Sequence, residues 1–377
     1  MPPVTIEELE ADPHPLLARL RETEPVAWVP ALGGWLVTRR DLALAVMRDS
    51  EAFTVDDPRF STGQVVGRSM LTTDGEEHTR QRAPFARPFR LDAVRERFTA
   101  AVEGDADRLI DALEPAGRGE LRRGLAGPLA TLTMAHALGL EDVGVDAMLG
   151  WYDAIVDATS GLSAGRPVPE AGREAAAELR AAIEARLEGD SLVAAAAGGL
   201  SPAEVSSNAA VLLFGGIETT EGMICNALLH LLGHEDQLAR VRADRSLLAN
   251  AIEESLRLEP SAASIDRYAT RGLELGGATI AAGDLVTVSL AGANRDPDTF
   301  AEPDRFDITR ENAGRHLAFA GGPHVCIGMH LARLEAHTAI ARLLDRLTGL
   351  RLDPERPAAP RGLVFRKPPD LHVLWDR

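Results

Sequence analysis

The residues with the most chemistry lie in one short stretch, Phe319-Ala-Gly-Gly-Pro-His324-Val-Cys326-Ile-Gly328, just ahead of an amphipathic pattern running from about Ile327 to Leu347. Gly321, Gly322 and Gly328 permit turns and close backbone approach that a Cβ would block. A cysteine at the start of a helix has unpaired backbone N–H groups beside it, which favour the thiolate over the thiol. His324 stands close enough in sequence to bind an anionic group on the same face. A thiolate held this way is a candidate metal ligand, and one thiolate alone suits haem iron better than zinc. The residue types by themselves leave a second reading open, a small buried packing cysteine.

Two further stretches carry usable side chains. His78-Thr-Arg-Gln-Arg82 spaces two basic groups at i,i+4, one side of a helix, where they suit a carboxylate or propionate or form a solvated basic face. Gly215-Gly216-Ile217-Glu218-Thr219-Thr220 closes an apolar run. A Gly pair weakens a helix and a Thr hydroxyl can replace a backbone bond, so a local bulge is expected here. Glu218 and Thr219 then put an acid and a hydroxyl where protons could be relayed; the alternative is a core helix with a satisfied Glu.

The elements that must position these groups are mostly helical. Residues 26–38 read as two short strands around a Gly33-Gly34 turn, and DLALAVMRDSEAF after them has helical spacing. From about Leu91 to Leu258 the pattern is helical, with breaks at Pro115–Gly117, in the Gly161–Pro169 loop and at Gly198-Gly199. Ser201-Pro202-Ala-Glu204 is a helix start: N-cap Ser, Pro first, Glu third. Pro84 and Pro88 should shorten or kink the helix carrying His78. Beyond Pro260 short strands, an irregular Pro/Asp-rich stretch and the last helix follow. No repeat or linker divides the chain. The expected fold class is mainly α with a minor β-sheet region, in a single large domain.

Composition removes several functions. With 40 basic and 57 acidic residues among 377, the net charge of −17 opposes nucleic-acid binding. Lys367 is the single lysine, so scattered arginines reflect a compositional bias rather than sites. Cys225 and Cys326 lie far apart with no C-x-x-C partner, against structural zinc or a disulfide scaffold, and a reduced cytosol is expected. The first residues lack the basic start and apolar run of a signal peptide, and no apolar run approaches the roughly 20 residues that span a bilayer.

The cysteine stretch closely resembles the haem-binding signature of the cytochromes P-450, whose Phe, Gly, His, Cys and Gly fall at Phe319, Gly322, His324, Cys326 and Gly328. Ala320 stands where the family often has Gly. Glu254-Ser-Leu-Arg257 is similar to the family's Glu-x-x-Arg pair, and the resemblance implies that Arg305 joins it in a buried network holding the loop. It implies that His78, Arg82, Arg267 and His324 contact the haem propionates. It sets Gly215 at the cofactor's oxygen-binding groove, with Glu218 and Thr219 as the acid–alcohol pair, Glu218 carrying protons by alternating between exposed and buried rotamers. Cys225 is then a packing residue. The match extends from Val26 to the C-terminal strands and includes Ala293-Asn-Arg-Asp-Pro297.

The resemblance implies the cytochrome P-450 fold over residues 1–377, without fused reductase or membrane anchor. The implied protein is a cytosolic haem-thiolate monooxygenase holding heme b (iron protoporphyrin IX) on Cys326. It would insert one oxygen atom from O2 into a hydrophobic small molecule of bacterial secondary metabolism. Electrons would come from a ferredoxin and ferredoxin reductase, with Arg82, Arg87, Arg90 and Arg333 as docking contacts. Pocket walls would come from residues 60–72, 151–169, Leu212–Thr219, Ala262–Ile265 and Val364-Phe365. Rival readings are peroxygenase, nitration or decarboxylation chemistry at the same haem, and a haem-binding sensor without turnover.

Overall fold

The computed structural model describes residues 4–163, 166–188 and 191–377. Ala164 and Gly165, inside the expected Gly161–Pro169 break and pocket wall, lie outside the described residues.

The expected hairpin forms as Val26–Val29 and Gly34–Val37, turning at Gly33 with φ of 62°. It belongs to a five-stranded sheet in the order Val26–Val29, Gly34–Val37, Leu285–Ser289, Ser264–Ala269, Phe53–Thr54. Gly34 faces Leu285 in the one parallel pairing of that sheet, and a Cβ there would come within 2.7 Å of the Leu285 carbonyl. Ser264–Ala269 carries Arg267 and runs antiparallel to Leu285–Ser289. The helix expected from Asp41 onward covers Arg40–Arg48 only. Asp49 accepts from the Ala52 N–H at 2.9 Å, which turns the chain so that Phe53–Thr54 pairs with Tyr268 and Ala269 as a strand.

Helices dominate the rest: Leu91–Leu113, Gly127–Leu138, Val145–Ser163, Glu170–Glu184, Pro202–Gly233 and Leu248–Leu258, then Met329–Arg346. Two features inside this region escape the helical periodicity. Arg118–Glu120 is a strand, paired antiparallel with His372–Leu374, and Arg122–Ala126 is a π-helical turn leading into Gly127–Leu138. Three residues with a central Gly have no strand signal of their own; the distant C-terminal segment supplies it.

The central helix, Pro202–Gly233, starts as its sequence dictates. Ser201 and Glu204 form the reciprocal capping box with Pro202 at the first position. Its 32 residues run through Gly215 and Gly216 as continuous α-helix, without the expected bulge. Thr219 does turn its hydroxyl onto the Gly215 carbonyl, at 2.6 Å. The helix stays continuous because it is enclosed: a Cβ on Gly216 would collide with Met134 of the neighbouring helix. Gly75–Ala86 contains Pro84 and gives way to a 3-10 turn, Arg87–Phe89, as its prolines require.

The brace under the cysteine loop differs from expectation in one residue. Arg257 is fully buried, binds Glu254 at 2.7 and 2.8 Å, and donates to the carbonyls of Asn294, Pro303 and Arg305. The third side chain in this network is Arg310, whose Nε donates to Glu254 at 2.9 Å. Arg305 lends only its carbonyl; its guanidinium turns outward to Glu302 at 3.2 Å, with 58% of the side chain exposed. Sequence adjacency to Pro303 and Phe306 could not reveal this outward turn.

Candidate active site

One cavity of about 250 Å³ receives Cys326, His324 and Arg82 together with Gly215, Gly216 and Thr219. The loop bearing Cys326 is held by backbone geometry. The Cys326 N–H donates to the Phe319 carbonyl at 2.9 Å, and Ala320 and Gly322 both take positive φ, 58° and 69°. Gly322 is required twice over, since a Cβ there would strike the Met47 carbonyl. Ala320 adopts its left-handed conformation against the preference of an L side chain.

Beyond the loop, Gly328 and Met329 direct backbone N–H groups at the Cys326 sulfur, with Arg82 and Arg333 nearby. Burial outweighs all four and pushes the thiol up from its usual value, contrary to the expectation that the helix start alone yields a thiolate. A sulfur in this setting ionises when a cation binds it. Cys225 is fully buried, and burial pushes its thiol up as well, as befits a packing residue.

The four basic groups expected at the propionates divide into two pairs. Arg82 and His324 line the cavity, Arg82 donating to the Val325 carbonyl at 2.6 Å. His78 lies behind the loop, its ring nitrogens 2.7 Å from the Met70 carbonyl and 3.2 Å from that of Pro323, its ring 4.2 Å from His324. Arg267 is buried, bonded to the Asp266 carbonyl at 2.7 Å, and burial lowers its pKa. Neither belongs to the cavity lining.

Asp74, unremarked in the sequence, organises this corner. It accepts from His324 at 2.8 Å, from the Thr54 hydroxyl at 2.7 Å and from the Val55 N–H at 2.9 Å. Burial would raise its pKa, but those hydrogen bonds win and hold it at about 2. Its signal was its position, directly before the helix that carries His78 and Arg82.

On the central helix, Gly215 has open space where a Cβ would stand, and the Thr219 side chain reaches the cavity. Glu218 does not. It is 3% exposed, accepts from the Tyr152 hydroxyl, and lies 2.8 Å from Lys367 Nζ. A carboxylate pinned by a cation and a phenol is not one that swings to solvent, so the rotamer exchange expected for it is absent from this geometry. Glu221, one turn on, shares Lys367 and Tyr152 and binds Arg122 Nε at 3.1 Å. The single lysine of the chain was the available sequence signal for this cluster.

The remaining walls are mostly apolar, among them Met70, Leu71, Val211, Leu212, Ala262 and Ile265, with Thr220, Ser261 and the buried Glu335 as polar members. Residues 151–162 and 166–169 supply none of the lining, and Phe365 sits one layer back, edge-on to Phe214 at 5.5 Å. Arg87 and Arg90, at the 3-10 turn after the helix that carries Arg82, are exposed, as are Leu91 and, on the loop itself, Val325. Arg333 is engaged with Glu253 at 2.6 and 2.8 Å, which removes it from the free docking cations.

A helical fold braced under a cysteine loop, facing a glycine-lined helix across an apolar cavity, defines a class. Residues 173–374 match the family model of cytochrome P-450. The P-450 monooxygenase PikC of Streptomyces venezuelae is 37% identical over 98% of this chain and 91% of its own length. The 6-deoxyerythronolide B hydroxylase of Saccharopolyspora erythraea is 32% identical over 99% of each. The crystal structure of CalO2 superposes with a TM-score of 0.89 at 30% identity, covering 99% of both chains. The chain belongs to the cytochrome P-450 family. It is an oxygenating oxidoreductase of the bacterial monooxygenase type. Among the described residues, no helix is long and apolar enough to cross a membrane.

Proposed function

We propose that this chain, working as one domain over residues 1–377, holds iron protoporphyrin IX on Cys326 and oxidises an uncharged hydrophobic small molecule. The observation that carries this reading is that Cys326 and Thr219 line one apolar cavity with basic groups, Arg82 and His324, along its loop side. The donor set fits the cofactor: one sulfur for iron, cations for carboxylates, and aliphatic walls for a porphyrin. When bound, that group supplies the one-electron and oxygen chemistry that no side chain provides.

The protein's own residues do the rest. Arg82 and His324 orient the cofactor's carboxylates, with Asp74 fixing the His324 ring and His78 and Arg267 supporting from behind. Gly215 leaves room for a small molecule beside the central helix. The Thr219 hydroxyl donates to the Gly215 carbonyl and so presents its oxygen as an acceptor toward the cavity. The aliphatic walls exclude water and select against charged substrates, since burying an unpaired charge is costly. Glu218, next to Thr219 in the chain, is held in place by Lys367 and Tyr152. Electrons come from a ferredoxin and its reductase, docking in the cytosol on the face that exposes Arg87 and Arg90. The substrate class follows the relatives in being a product of secondary metabolism.

The test is a pair of substitutions. Cys326→Ala loses haem or the red-shifted Soret band of the reduced CO complex, whereas Cys225→Ala keeps it. Survival of that band in Cys326→Ala would overturn the ligand assignment. Screening aliphatic natural products for a low-spin to high-spin change then identifies substrates.

A further inference from the structure

Met70 lies on the cavity wall, yet both of its backbone polar groups are held by side chains from other elements. Its N–H donates to Asn208 Oδ1 at 2.7 Å, and its carbonyl lies 2.7 Å from His78 Nδ1. The turn that carries it is complete without them. Thr72 Oγ1 accepts from the Ser69 N–H at 2.8 Å, while the Thr72 N–H and the Thr73 hydroxyl donate to the Ser69 carbonyl at 3.0 and 2.9 Å. Residues 69–73 are therefore a preformed unit, and Asn208 and His78 decide where it hangs.

Asn208 is fully buried on the central helix, two turns before Gly215. Its amide can point only one way. The Met70 N–H requires the amide oxygen, and the Glu204 carbonyl, 2.8 Å away, requires the nitrogen. The other amide hydrogen goes to Gln81 Oε1 at 2.8 Å. Gln81, 1% exposed, is held in turn by donating to Glu77 at 2.7 Å. Gly67, with φ of 90°, seats the entry to the loop beside the same helix turn, since a Cβ there would stand 3.1 Å from Ser207 Oγ.

We propose that Asn208, oriented by Gln81, is a positioning residue that fixes Met70–Leu71 as a rigid wall of the substrate pocket and so sets the affinity for ligands long enough to touch that wall. An apolar side chain would fill position 208 equally well for helix packing. A buried amide is tolerated there because each of its groups is bonded, and one of those bonds ends on the pocket wall. Without it the Met70 N–H is a buried donor lacking a partner. The segment then moves to reach water, and a ligand that needs the wall must order it on binding.

The ligand part of this inference rests on the monooxygenase reading above; the Met70–Asn208 latch can be measured without it. In holoenzyme labelled with [15N]methionine, which marks seven residues, the Met70 signal is assigned through Met70→Leu. Its amide is protected in wild type and exchanges with D2O about tenfold faster or more in Asn208→Ala, as expected for loss of its one buried partner. A series from 1-methylimidazole to 1-octylimidazole, sharing one iron-binding nitrogen and differing in reach, is then titrated by the Soret shift. In Asn208→Ala the octyl compound loses about tenfold in affinity, the cost of ordering about one backbone residue, whereas 1-methylimidazole binds as in wild type. Gln81→Leu keeps the Met70 bond but frees the amide that makes it, so it loses less, and the double variant matches Asn208→Ala because Gln81 acts through Asn208. That milder variant carries the test if Asn208→Ala does not fold. A Met70 amide as protected in Asn208→Ala as in wild type overturns the latch. Equal losses for the methyl and octyl compounds overturn the positioning role, because general damage to the pocket predicts that result. A loosened Met70 amide with unchanged octyl affinity overturns it too. If wild type itself shows no azole-induced Soret shift, the monooxygenase reading fails and takes the ligand role with it, while the amide exchange still decides the latch.

Discussion

The cysteine loop opens on the cavity and the acid cluster lies buried away from it, and the two are built on opposite principles. The loop is local. Within ten residues, two positive φ angles, a 3-10 turn and a helix start place one sulfur against backbone N–H groups. The cluster is assembled from four distant stretches: Arg122 in a π-helical turn, Tyr152, Glu218 with Glu221, and Lys367 near the C-terminus. A local device tolerates change elsewhere in the chain, whereas an assembled one fails when any contributor is removed.

That contrast can be broken at several strengths. The largest stability effect is expected under the loop, at its brace. Arg257→Ala leaves Glu254 buried beside Arg310 alone and costs about 3–5 kcal/mol, read as a lower urea midpoint. Arg305→Ala, by contrast, stays within about 0.5 kcal/mol, because its charge lies at the surface. Equal losses in the two variants would restore Arg305 to the network. Next comes the cluster. Lys367→Met removes the cation shared by two buried acids and costs about 3 kcal/mol, at the lower end because Arg122 and Tyr152 remain. A loss below about 1 kcal/mol would mean that the acids are held by something other than Lys367.

The Asp74 corner gives a pH test of intermediate size. Its folded-state pKa of about 2 lies below the unfolded 3.8, so its stabilisation is complete above about pH 4 and disappears as pH falls through 2. The contribution is about 2 kcal/mol. Asp74→Asn should therefore flatten that part of the acid-unfolding curve while leaving the curve above pH 5 parallel to wild type. An unchanged acid limb would show that His324 and Thr54 do not stabilise the carboxylate.

The smallest effect sharpens the account of the loop itself. Ala320 holds φ of 58°, a conformation that costs an L residue about 1–2 kcal/mol, part of which Gly recovers after its own entropy loss. Ala320→Gly should raise the thermal midpoint by the equivalent of about 1 kcal/mol or less. A lower midpoint would show that the Ala320 methyl packs favourably enough to outweigh the strain.

How much could be read in advance follows the same division. Cys326, His324 and the glycines around them announced their arrangement because their spacing is their geometry. The Ser201–Glu204 start of the central helix and the hairpin at Gly33 were legible for that reason too. The π-helical turn at Arg122–Ala126, the strand Arg118–Glu120 and the choice of Arg310 over Arg305 were not, since each depends on a partner far along the chain.

The sequence by itself determined the family, the sulfur ligand candidate and the order of the elements, through short-range rules of turn, cap and spacing. Only the tertiary structure decided which charges share a buried space. Glu218 reads on the helix as an acid free to reach solvent. Folding brings Lys367 and Tyr152 against it, and in a low-dielectric interior an ion pair of that kind overrides any preference the local sequence expresses.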